Sequence, residues 1–89
     1  MSSSRLYVGN LSYHISVAEV RKIFEEFGIL KDIYAPPPKS GASPHQLHRG
    51  YFFVEFERVE DAERALEMLN QTADPAGRTM QIREAATRP

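Results

Sequence analysis

The stretch from Arg49 to Phe56, RGYFFVEF, restricts what this chain can fold into more than any other. A run rich in Tyr, Phe and Val that follows loop-type residues reads as a β-strand. Successive side chains of a strand point to opposite faces. Gly50, Phe52, Val54 and Phe56 then share one face, and Arg49, Tyr51, Phe53 and Glu55 share the other. The first set, apart from its glycine, is wholly apolar and belongs in a core. The second joins two aromatics to one cation and one anion. A buried face would reject Arg and Glu, and a purely solvated face has no use for Tyr and Phe. The combination suits an open sheet surface on which flat ligands stack and phosphates are neutralised. On these eight residues alone, a fully buried strand whose charged ends escape at the edges fits equally well.

The flanking sequence supplies the other elements. Arg5 to Asn10 reads as a first strand, with Leu6 and Val8 toward the core and Arg5, Tyr7 and Gly9 facing the other way. Ser16 and Glu19 have the Ser-x-x-Glu spacing of a capping box. Val20, Ile23, Phe24 and Phe27 follow as one apolar helical stripe, and Gly28 closes that helix. Ile29 to Ala35 is a second strand of imperfect alternation, with Ile33 and Ala35 inward and Asp32 and Tyr34 on the open face. Leu30 fits either face. Pro36 to His48 is a loop of 13 residues with four prolines, a length that is usually functional or mobile. His45 and His48 within it read as solvated rather than metal-binding. Val59 to Leu69 repeats the helical stripe with Ala62, Ala65, Leu66 and Leu69. Asn70 to Gly77 is a turn region, and Thr79 to Glu84 is a fourth strand with Met80 and Ile82 inward and Gln81 and Arg83 outward.

The order βαββαβ gives an α+β fold: a ferredoxin-like sandwich of one four-stranded antiparallel sheet with two helices on one face. The opposite face stays uncovered. Residues 1–4 are expected to form a disordered tail, 5–85 a single domain and 86–89 a short C-terminal tail. Phe52 should fill the volume left by Ala35, Ala62 and Ala65, unless a one-residue bulge turns it outward.

Two motifs tie this plan to a family. RGYFFVEF resembles the octamer of the RNA recognition motif (RRM) family, Lys/Arg-Gly-Phe/Tyr-Gly/Ala-Phe-Val-x-Phe/Tyr, at seven of eight positions. Phe52 is the departure, standing where Gly or Ala is usual. LYVGNL at Leu6 to Leu11, 43 residues upstream, resembles the family's hexamer. The resemblance implies a platform of Tyr7, Tyr51 and Phe53 for unstacked bases, with Arg49 on phosphate. Asn10, Tyr34, Gln81 and Arg83 are the further candidates for RNA contact. The implied function is a single-stranded RNA-binding module in mRNA processing or splicing. One alternative is an RRM-like protein-interaction domain of a splicing or exon-junction type assembly, engaging its partner through the helices or the 36–48 loop. Another is cap-like nucleotide recognition, because LYVGNLSY also resembles the matching stretch of the small nuclear cap-binding subunit.

Charge and composition limit the other classes. The helical segments carry eight acids against four bases, and the rest of the chain seven bases against four acids, an acidic back and a mildly basic front. There is no cysteine, so disulfides and thiolate chemistry are excluded. No apolar run approaches the roughly 20 residues of a membrane span, and the MSSSR start is not a signal peptide. An intracellular monomer is expected, in the nucleus rather than the cytoplasm. No glycine-rich phosphate loop or paired carboxylates point to an enzyme, and no cofactor or metal is called for.

Overall fold

The structure, a computed structural model, describes residues 3–86. Its elements run β1 (Arg5–Gly9), α1 (Val17–Glu25), β2 (Leu30–Tyr34), β3 (Phe52–Phe56), α2 (Val59–Leu69) and β4 (Gln81–Ala85). The four strands form one antiparallel sheet in the order β2-β3-β1-β4. The two motif strands are therefore the central pair, with Tyr7 opposite Phe53 and Val8 opposite Phe52. The alternation in both strands holds without a bulge, so Leu6, Val8, Phe52, Val54 and Phe56 are all fully buried. Phe52 faces inward and joins the cluster that holds Ala62 and Ala65, with Ala35 packed against it.

Local chemistry explains the helices. Ser16 accepts the Glu19 backbone N–H at 3.1 Å while the Glu19 carboxylate accepts the Ser16 backbone N–H at 3.2 Å, a complete capping box. α1 buries Val20 and Phe24. It ends at Glu25 with Glu26 as cap, so Gly28, at φ +158°, stands one residue beyond the C′ position at which the sequence placed it. α2 has no side-chain cap; Glu60 and Asp61 in its first turn offset the positive end of the helix dipole. It buries Ala62 and Ala65, whose small side chains bring it close to the sheet.

Several boundaries differ from the sequence expectation. β2 pairs Leu30 with Phe56 and Asp32 with Glu55, so Lys31 is an extra, bulged residue. That bulge is the reason the alternation is imperfect, and it puts Leu30 against the core. Met80 accepts from the Gln71 N–H and donates to the Thr72 carbonyl, which holds it to the preceding turn and starts β4 only at Gln81. Asp74 is a buried knot rather than a plain turn residue. Its carboxylate accepts the backbone N–H groups of Ser12, Ala76 and Arg78 at 2.8–3.0 Å. Ser3 and Ser4, placed in the tail by the sequence, are tied down: the Ser3 hydroxyl donates to the Ala85 carbonyl and the Phe56 N–H donates to the Ser4 carbonyl. The remaining tail positions, 1–2 and 87–89, lie outside the described residues.

His48 is the largest departure in the loop. It is 1% exposed, not solvated. Its Nε2 lies 2.8 Å from the Ile15 carbonyl, and the Gly50 N–H donates to its Nδ1 at 2.9 Å. A backbone N–H can only donate, so Nδ1 holds a lone pair, Nε2 carries the single proton, and the ring is neutral. Burial lowers its pKa from the ordinary 6.5, and the hydrogen bond to Ile15 opposes that only in part. The unfolded chain therefore binds this proton more readily than the folded one, and stability is lost as pH falls below 6.5. In denaturant titrations from pH 7.5 to 5, the midpoint should fall for the native chain and fall less in His48→Gln. Equal falls would mean that another group carries the effect.

Candidate nucleic-acid interface

The uncovered sheet face is built around three rings. Tyr7 projects from β1 and Phe53 from β3, both half-buried. Tyr51 stands just ahead of β3. Tyr7 and Tyr51 are stacked at 5.5 Å between ring centroids with 27° between planes. Phe53 meets both edge-on, at 5.9 Å from Tyr7 and 5.8 Å from Tyr51. Gly9 makes room for this: a Cβ there would come within 2.6 Å of the Tyr7 ring, so any larger residue displaces it.

Cations lie on the rings. The Arg83 guanidinium carbon is 4.5 Å from the Tyr7 centroid, and that of Arg5 is 4.3 Å from the Phe53 centroid. These are cation–π distances. A guanidinium is flat and delocalised and stacks on rings as a base does. Arg5 and Arg83 thus each lie over a ring of the cluster. Arg5 had been legible only as a residue on the outward face; the ring contact makes it part of the site.

The other expected residues are spread around the cluster. Tyr34 lies opposite Phe53 on the outer strand β2 and is 46% exposed, so it extends the face toward that edge. Gln81 sits opposite Gly9 on β4 and is exposed. Arg49 does not share a strand with Tyr51. Gly50 has φ +94°, which ends the alternation, and the Arg49 Nε donates to the Pro37 carbonyl at 2.8 Å. Arg49 nevertheless lines the same cleft as Tyr7 and Tyr51. Asn10, at φ +61°, is exposed but commits its side chain to neighbouring groups of the chain: its amide donates to the Thr79 carbonyl at 2.7 Å and its oxygen accepts from Arg78. Its role in the geometry is to lock the end of β1 to the turn before β4. Arg78 was not anticipated, because a turn residue next to Gly77 carries no signal of its own. Lys39 borders the site from the long loop, His45 offers its carbonyl to His14, and His48 is in the core.

Arg21–Glu25, Arg58–Glu60 and Arg64–Asp61 are ion pairs on the helices and their flanks. Among the described residues, no group of three or more His, Cys, Asp or Glu could hold a metal ion. Among the same residues, no helix is long and apolar enough to cross a membrane.

Known proteins match this arrangement. Two structures superpose on it over almost the whole chain. One is the RNA binding protein PG1, with a TM-score of 0.84 and 30% identity over 98% of this chain and 99% of that one. The other is an SXL-lethal protein/RNA complex, with a TM-score of 0.81 and 26% identity over 92% of this chain and 47% of that one. RbpA of Synechocystis sp. is 34% identical over 83 residues, 93% of this chain and 77% of RbpA. The chloroplastic RNA-binding protein CP33 of Arabidopsis thaliana is 36% identical over 88% of this chain and 22% of CP33. The chain spans only 7% and 8% of the length of relatives from Dictyostelium discoideum and Homo sapiens. Relatives in a cyanobacterium and a chloroplast give the expected nuclear location no support. The model described as RNA recognition motif matches residues 6–81, spanning both motif strands, both helices and the start of β4, and the chain belongs to that family of RNA-binding domains.

Proposed function

We propose that this domain binds single-stranded RNA by stacking bases on Tyr7, Tyr51 and Phe53, with Arg5, Arg49 and Arg83 supplying positive charge. The observation that carries the proposal is the contact cluster of three rings on the sheet face that no helix covers. Single-stranded RNA is recognised through bases splayed onto such rings. One copy of the chain supplies the whole cluster, so a monomer suffices. The service is proposed to lie in RNA processing, with mRNA maturation and splicing as the specific setting.

Base stacking on an aromatic side chain is worth roughly 1–3 kcal/mol per base. Three platforms, after the costs of association and ordering, place affinity at about micromolar. With two or three phosphates neutralised, log K against log salt should have a slope of about −1.4 to −2. A salt series with short random-sequence RNA measures it. A slope near zero would remove the cations from the proposal, and no binding by the folded protein would remove RNA. A protein partner is the second reading, favoured by the exposure of Met68 on α2 and of Leu47 in the long loop, at 61% and 52%.

A further inference from the structure

Tyr51 is the platform ring with the least support from the sheet. β3 begins at Phe52, and its register with β1 ends there, at the pair Val8 and Phe52. The ladder therefore does not aim Tyr51; the residue before it does. Gly50 has φ +94° and is held from three sides. Its carbonyl accepts the Leu11 N–H at 3.0 Å, the Tyr13 ring lies 3.1 Å from where a Cβ would stand, and its N–H donates to His48 Nδ1 at 2.9 Å.

The last of these holds depends on one lone pair. His48 is buried, and its Nε2 gives its proton to the Ile15 carbonyl at 2.8 Å. Phe52 packs edge-on against the ring but gives it no hydrogen bond. The bond from Gly50 is buried too, so its N–H has no ready substitute if His48 lets go. A second proton on the ring would sit on Nδ1, and two donors would then face each other.

The other titratable and charged groups near this point belong to the two flanking loops and the start of α1. Tyr13 lies on Gly50, His14 Nδ1 is 3.1 Å from the His45 carbonyl, and Glu19 is bound to Ser16. Lys39 borders the neighbouring cleft, and Arg49 donates to the Pro37 carbonyl. From β3 the ring meets Phe52 alone among the described residues. Proton uptake by His14 or His45 adds positive charge and strengthens the hold on phosphate. Proton uptake by His48 acts in the opposite direction, because it undoes the turn before Tyr51.

We infer that His48 is a positioning residue for RNA binding: its neutral ring, through the Gly50 N–H, sets the turn that carries Tyr51 onto Tyr7, and a second proton on that ring releases it, so the fold couples RNA affinity to pH. The inference rests on the RNA reading and adds a proton-linked control to it. The sign follows from the geometry and agrees with the lowered pKa of His48. Affinity is full above pH 6.5, where the ring is neutral, and is lost as pH falls below it.

Titration of the whole chain with a short oligouridylate lacking terminal phosphates, from pH 7.5 to 5, tests it, since uridine takes up no proton in that range. A His14→Gln/His45→Gln background removes the two histidines of opposite sign, and circular dichroism at each pH confines the comparison to folded protein. Affinity should fall at acid pH by about fivefold or more, the weaker end of what one base stack is worth. In the same background His48→Leu, which leaves the Gly50 N–H without an acceptor, should bind weakly at every pH. His48→Asn should restore the affinity at pH 7.5 without the acid fall, because an Asn oxygen accepts the N–H two residues on and does not titrate. Nuclear magnetic resonance of the His48 ring covers the case in which a variant does not fold. With RNA bound, proton uptake by His48 should need a lower pH than in the free chain, as reciprocity of coupling demands. Equal uptake in the two states overturns the inference, as does an affinity that stays flat or rises toward acid pH, or an acid fall that survives in His48→Asn. Each of these leaves the three-ring platform standing. No binding at pH 7.5 by the folded native chain removes the RNA reading and this role together.

Discussion

The double replacement Tyr7→Ala/Phe53→Ala should weaken binding of short single-stranded RNA to the edge of detection while leaving the domain folded. Each ring lost forfeits a stack worth roughly 1–3 kcal/mol, so the pair costs about 2–6 kcal/mol, or about 30-fold to more than 10⁴-fold in affinity. From a micromolar start, most of that range lies beyond detection. The rings also organise one another. Tyr51 is stacked on Tyr7 and edge-on to Phe53, so the double variant leaves it with neither neighbour. Arg83 and Arg5 lose the rings they lie over. Those two cations then offer charge without a positioned stack, and residual binding should be weak and steeply salt-dependent. The fold survives because both rings stand on the helix-free face while the core faces the other way. Titration of a labelled RNA, with circular dichroism on the same samples, makes the check. A folded double variant that binds within threefold of the native chain would show that RNA, if bound, is held elsewhere.

How much of this site was legible in the sequence depends on how far each feature reaches along the chain. Residues whose roles follow from strand alternation, Tyr7, Phe53, Leu6, Val8 and Val54, stand where the pattern puts them. The second helix matches its expected limits because its stripe is local and uninterrupted. Arg49 does not fit the pattern, because Gly50 at φ +94° breaks the strand before Tyr51. That conformation is held by His48 and by the Tyr13 ring, contacts that alternation does not encode. His48 looked like a solvated loop residue because its partner, the Ile15 carbonyl, lies 33 residues away. Asp74 read as a turn residue, but its contact with Ser12 spans 62 positions. Periodicity reports which face a side chain takes; it is silent on which distant backbone group will need a donor or an acceptor.

The neighbour of Phe53 should behave in the opposite way. Phe52→Ala destabilises the domain severely and leaves the RNA affinity of the folded protein unchanged. Phe52 is fully buried, and His48 meets its ring edge-on at 4.7 Å between centroids. Truncating a buried Phe to Ala costs about 3–5 kcal/mol, because the cavity left behind relaxes only partly. The total stability of a small domain is roughly 5–15 kcal/mol, toward the low end at this size. Each kcal/mol is worth about 4–8 °C in a domain of 60–100 residues, so the midpoint should drop by at least about 12 °C. Ala is a usual residue of the family's octamer at this position, yet here it should not be a safe replacement. Ala62 and Ala65 across the core are too small to fill the space. Loss of the Phe52 ring also removes the packing partner of the neutral His48. Thermal melts, with RNA titrations well below the new midpoint, separate the two adjacent positions. A drop of only a few degrees would mean that the core closes over the cavity. Weaker binding by the folded variant would mean instead that Phe52 shapes the ring face from behind.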